Sequence, residues 1–166
     1  MSNIQLTLRE ILAGKSQELF NAYGVACTVD AVQPEPERLL CGILGFTGDH
    51  LCGCLVISAS ERAIAESNPI HDGATRAWVA ELTNQLVGRF KNALLRYGVE
   101  IAMSIPVVLT ASQLTPLPQT QADPIRLDVG GGSFAIWLEV EASADLTLAD
   151  PGPESMIAAE GEAMLF

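Results

Sequence analysis

The sequence predicts a mixed α/β domain of the α+β kind, an antiparallel sheet with long helices packed on one face. Two stretches, 7–23 and 72–97, repeat apolar residues at helical spacing, and each runs to a glycine. Short apolar runs bounded by Pro, Gly, Asn and Asp lie between and after them, the pattern of strands and turns. The order is helix, two or three strands, helix, then three strands, which suits an antiparallel sheet carrying its helices on one side.

Residues 7–23 form the first expected helix, with Thr7 and Glu10 as a capping box, Leu8, Leu12, Leu19 and Tyr23 on one face, and Gly24 as the stop. Strands are expected at 25–32 and 39–46, separated by Pro34-Glu35-Pro36. A turn at 47–50 returns the chain as a strand over 51–57, and Ser58 with Glu61 fits a second capping box opening a short helix to about residue 67. Asp72 is placed to cap the long helix, with Gly98 as its stop. A strand over 99–110 should bend or end near Pro106, since proline cannot donate to a ladder. A polar loop covers 112–124. Strands 125–129 and 134–140 then join across Gly130-Gly131-Gly132, which reads as a hairpin turn because no helix start or Lys-Ser/Thr follows it. The expected division is a domain over 1–142 and an acidic extension over 143–166, where Met156, Ile157 and Met164-Leu165-Phe166 are the groups able to pin it.

With 166 residues, 49% of them apolar, the chain suits one domain with a real core. The first ten residues are polar and carry Arg9 and Glu10, so no signal peptide is expected, and the longest nearly uncharged run, 101–112, is too short for a membrane helix. A cytoplasmic protein is expected. The formal net charge of −11 argues against nucleic acid and anionic lipid as partners, and leaves proteins open. The cysteines are Cys27, Cys41, Cys52 and Cys54. Cys52-Gly53-Cys54 lacks the two-residue gap of zinc knuckles, so these read as buried free thiols, with His50 nearby and no metal expected.

The long helix carries the chemistry. Val79, Leu82, Leu86, Phe90, Ala93 and Tyr97 gather on one side, bordered by Trp78 and Leu94. Opposite them, Ala77, Glu81, Asn84 and Gly88 fall within an arc of roughly 60°. A carboxylate and an amide framed by two small residues would let another protein's backbone come close.

Glu81-Leu82-Thr83-Asn84, followed by Pro106 twenty-two residues later, resembles the CheC/CheX/FliY family of chemotaxis phosphatases. The context is similar too: Gly45-Phe46-Thr47-Gly48, then Gly53, then Ile57-Ser58-Ala59-Ser60, with Gly88 after Asn84. The likeness runs from about Leu8 to Glu141. Glu18-Leu19-Phe20-Asn21 repeats the Glu-x-x-Asn spacing, but Ile43 stands where its proline would be, so the chain looks like a single-motif, CheX-like member. It departs from the family at Ala77, where Asp or Ser is usual, and at Ala111, often glycine.

The resemblance implies a CheC-like fold and a phosphatase acting on the aspartyl phosphate of a CheY-like receiver domain. Asn84 would orient the attacking water and Glu81 would hold the receiver's active-site lysine, while Ala77, Gly88 and Pro106 form the docking surroundings. The protein would need no cofactor of its own, the receiver supplying Mg²⁺. It also implies a homodimer, for which the apolar strands within 125–140 offer a sheet edge to cover. The rival readings are a non-catalytic binding module of a chemotaxis or flagellar-switch type, which Ala77 and the acidic tail favour, and a metal or redox protein using the cysteines.

Overall fold

The computed structural model describes residues 2–29, 38–70, 74–112, 123–148 and 151. Helix α1 (Asn3–Ala22) begins earlier than its apolar pattern suggests. Its cap is Ser2: Ser2 Oγ accepts from the Gln5 N–H at 3.2 Å, and Gln5 Oε1 accepts from the Ser2 N–H at 2.8 Å. Thr7, the expected cap, lies inside the helix and donates its hydroxyl to the Asn3 carbonyl. Strand β1 is Cys27–Val29, and residues 30–37 fall outside the described part. Strands β2 (Leu39–Thr47) and β3 (Leu51–Ser60) form a hairpin. Because β3 runs on through Ser58, the cap of α2 (Glu61–Ser67) is Ser60, not Ser58. Helix α3 (Thr75–Leu95) starts after Ala74, which offers no side-chain cap, and Asp72 lies outside the described residues.

Strand 99–110 is interrupted as its proline requires. Strand β4 (Ala102–Met103) and strand β5 (Val107–Ala111) both pair with β2. From Met103↔Phe46 to Val107↔Ile43 the edge advances four residues while β2 advances three, so one extra residue bulges out. Ser104 bridges the gap: its N–H donates to Gly45 O at 2.9 Å and its Oγ accepts from the Gly45 N–H at 3.0 Å. Strands β6 (Ile125–Val129) and β7 (Gly132–Ala142) turn through Gly130 and Gly131, at φ 58° and 78°. Beyond β7 the chain stays packed to Leu146, which is 6% exposed, while 152–166 lie outside the described residues, Met156, Ile157 and the last three among them.

All pairings are antiparallel, in the order β1-β6-β7-β3-β2-β4 with β5 beside β4 on β2. Strands β6 and β7 are therefore interior. The edge expected within 125–140 is covered by β1 on one side and β3 on the other, and among the described residues the outermost strands are β1 and β4–β5. One face of the sheet, with Leu44, Leu55, Ile57, Phe134 and Ile136, packs with α1, α2 and α3 into a single core.

The chain is built from two similar halves. Gly24 and Gly98 both stop a helix, at φ 72° and 71°, with the next residue's N–H donating to Phe20 O and Leu94 O respectively. The same offset of 74 residues (98 − 24, 88 − 14) relates Leu8, Leu12, Gly14 and Tyr23 to Leu82, Leu86, Gly88 and Tyr97. Each half gives its opening strand segment to the other half: β1 pairs with β6, and β4 and β5 pair with β2.

Candidate functional site

Helix α3 lies over β2 and β5 because its apolar side is continuous: Val79, Leu82, Leu86, Phe90 and Leu94 are fully buried, with Trp78 and Ala93 nearly so and Tyr97 half-buried. Its seat is close against β2. A Cβ on Gly42 would stand 2.0 Å from Thr83 Oγ1, so only glycine in β2 admits the threonine between Glu81 and Asn84. The buried Thr83 hydroxyl donates to Val79 O at 2.7 Å.

The opposite side presents Ala77, Glu81 and Asn84 as exposed residues, with Gly88 half-buried at the end of the stripe. A Cβ on Gly88 would meet nothing within 4 Å, so packing in this chain does not require the glycine. A glycine inside a helix costs about 1 kcal/mol against alanine. Asn84 makes no side-chain hydrogen bond to another described residue. Glu81 is held: Gln85 Nε2 donates to Glu81 Oε1 at 2.7 Å, and the Tyr23 hydroxyl donates to Gln85 Oε1 at 2.7 Å. Tyr23 stands edge-on to Trp78, with ring centroids 5.2 Å apart, and Trp78 Nε1 donates to Ser67 Oγ at 3.1 Å. The Glu81–Gln85 spacing of four residues was visible in the sequence; the link to Tyr23 was not, since it spans 62 residues.

Pro106 is not part of this stripe. It sits half-buried in the bulge of the sheet edge, between the exposed Ile105 and Val107. Glu18 and Asn21 are exposed near the end of α1, and Glu18 is paired with Lys15 at 2.6 Å. The 74-residue offset pairs Glu81 and Asn84 with Thr7 and Glu10, not with Glu18 and Asn21.

The four cysteines are free thiols, but only Cys41 is buried; Cys27, Cys52 and Cys54 are partly exposed, so the expectation of buried thiols holds for one of them. Burial, with the Asp128 charge added, pushes Cys27 up to about 11; burial raises Cys41, and burial with the Glu139 charge raises Cys54. Such thiols stay protonated at neutral pH and make poor nucleophiles and ligands. Among the described residues no three His, Cys, Asp or Glu gather as a metal site, and no helix is long and apolar enough to cross a membrane. The stripe is a convex helix surface, suited to a macromolecular partner.

No curated protein sequence matches the chain. Solved structures match its fold. CheX from Vibrio vulnificus superposes with a TM-score of 0.66 at 18% identity, over 81% of this chain and 99% of that one. A CheC-like superfamily protein from Shewanella sp. PV-4 gives 0.62 at 19%, over 81% and 97%. Borrelia burgdorferi CheX, in its complex with CheY, BeF₃ and Mg²⁺, gives 0.55 at 12%, over 80% and 96%. The family model described as chemotaxis phosphatase CheX matches residues 40–129, more than half of the chain, taking in β2 to β6 and the whole of α3. The chain belongs to the CheX family of chemotaxis phosphatases.

Proposed function

We propose that this protein accelerates hydrolysis of the aspartyl phosphate on a CheY-like receiver domain, acting through Asn84 and Glu81. The observation that carries this reading is the α3 stripe: an amide with no side-chain partner among the described residues and a held carboxylate, side by side, framed by an exposed alanine and by a glycine that this chain's own packing does not demand. The Borrelia burgdorferi complex supports a CheY-like partner. In the reaction a water oxygen attacks phosphorus, the bond to the aspartyl oxygen breaks, and that carboxylate leaves with the electron pair. Asn84 hydrogen-bonds the water and holds it in line, without itself reacting. Glu81 takes the receiver's active-site lysine and fixes the register of docking. The Mg²⁺ belongs to the receiver: one carboxylate and one amide do not make the octahedral oxygen shell that Mg²⁺ requires. A hundredfold acceleration needs about 2.7 kcal/mol of barrier lowering, within the reach of orientation.

Ala77 brings no hydrogen bond to the stripe and favours a second reading, a module that binds a receiver without dephosphorylating it. One experiment separates the two: phosphate release from a phosphorylated receiver, measured beside binding to its beryllofluoride-activated form. Asn84→Ala should abolish the acceleration and leave binding intact, and the helix should survive because alanine is its best former. Glu81→Ala should weaken both. Binding without acceleration by the natural protein establishes the module. Full activity in Asn84→Ala refutes the mechanism.

A further inference from the structure

We infer that Gln85 and Tyr23 are positioning residues that aim the Glu81 carboxylate before a partner arrives, an inference that rests on Glu81 being the docking anchor. The geometry has one consistent polarity. A carboxylate only accepts, so the Gln85 group facing Glu81 must be the NH₂. That leaves Gln85 Oε1 toward Tyr23, whose hydroxyl must donate to it. Each bond is 2.7 Å, and together they form a directed line from Tyr23 through Gln85 to Glu81 Oε1.

The line starts from firm ground. Tyr23 closes α1 as its C-cap, and its ring stands against Trp78 at 88°, edge to face. Trp78 is itself tied to the buried Ser67 of α2. Three helices thus converge on one exposed carboxylate. A free glutamate on a helix surface samples several rotamers and loses that freedom when it binds. Here Oε1 is already engaged, and Oε2 remains open to a cation. Immobilising such a side chain in advance is worth about three- to tenfold in affinity.

Two conservative variants test this. Gln85→Met keeps the length and helix propensity and removes both bonds; Tyr23→Phe keeps the ring and removes one. Binding is read with a beryllofluoride-activated CheY-like receiver from the same organism, and turnover as phosphate release. Gln85→Met should raise Kd and KM about fivefold and leave kcat unchanged. Tyr23→Phe should act in the same direction, more weakly, and add nothing to Gln85→Met. Neither should matter once Glu81→Ala is present, whereas a purely structural tie between α1 and α3 would cost the same in either background. Without any partner, the Gln85 side-chain amide signals in a ¹H–¹⁵N spectrum should shift in both Glu81→Ala and Tyr23→Phe. Natural affinity in Gln85→Met, while Glu81→Ala binds weakly, overturns the inference and leaves the proposed function standing. Equal losses in the presence and absence of Glu81 also overturn it. Unweakened binding in Glu81→Ala removes the anchor and the inference together.

Discussion

Replacing Gly42 by alanine tests whether the depth of α3 in the sheet sets the site. The added methyl would lie 2.0 Å from Thr83 Oγ1 and 3.2 Å from both Thr83 Cβ and Ile57 Cγ1. The last two contacts yield by a few tenths of an ångström. The first cannot: the Thr83 hydroxyl must turn away and abandon its 2.7 Å bond to Val79 O, or α3 must rise by about 1 Å. Overpacking of this kind costs about 1–3 kcal/mol, and each kcal/mol lowers Tm by about 2–4 °C in a chain of this size. Thr83→Ala removes the offending oxygen, so the double variant should be more stable than Gly42→Ala alone by about 1 kcal/mol or more. Urea denaturation of the two single variants and the double variant reads the coupling. Because Glu81 and Asn84 flank Thr83, Gly42→Ala should also slow receiver dephosphorylation, and the double variant should recover part of the rate. Strictly additive stabilities would refute the steric argument. Retained coupling with an unchanged rate would show that the height of α3 does not govern the site.

Other expectations follow from single positions. Gly88→Ala should stabilise the fold by about 0.5–1 kcal/mol in denaturation, since its methyl meets nothing, yet weaken receiver binding if the stripe is a docking surface. Because Cys27 is held up to about 11 against an unfolded value near 9.0, the folded form keeps a proton that the unfolded form releases; stability present below pH 9.0 should fall as pH rises toward 11, and Cys27→Ala should lessen that fall. We also propose a homodimer, now through the β4–β5 edge, where β5 carries no charge and Val107 is 58% exposed. Light scattering giving a monomer mass at tens of micromolar would rule this out.

The elements were legible wherever periodicity and stops agreed. The buried side of α3, its exposed stripe and the break at Pro106 follow from spacing and residue type, as does the glycine turn between the last two strands, although Gly132, expected in the turn, already belongs to β7. Helix starts were read less well, because several Ser and Thr residues offer similar local bonds. Thr7 and Ser58 resemble caps, but Ser2 and Ser60 hold that place, and only the extent of β3 decides between Ser58 and Ser60. The sheet edge was misread for a different reason. Whether 125–140 is interior depends on β1 arriving from about a hundred residues away, and no local pattern carries that pairing. The same distance hid the Tyr23–Gln85 bond, and the fit of Thr83 to Gly42 required knowing which strand lies beneath α3.

The exchange of first strands between the halves has a consequence for synthesis on the ribosome. Cys27 pairs with Val129, so β1 waits for about a hundred further residues to be translated, roughly 5–20 s at ordinary elongation rates. For most of that time β2 also lacks its outer neighbours, because β4 and β5, from Ala102 onward, do not yet exist. The nascent first half therefore exposes apolar strands that nothing in its own sequence can complete, the state that chaperones recognise and that aggregates most readily. Chains truncated before β4 should be cleared as incomplete products and should not persist as half-active fragments.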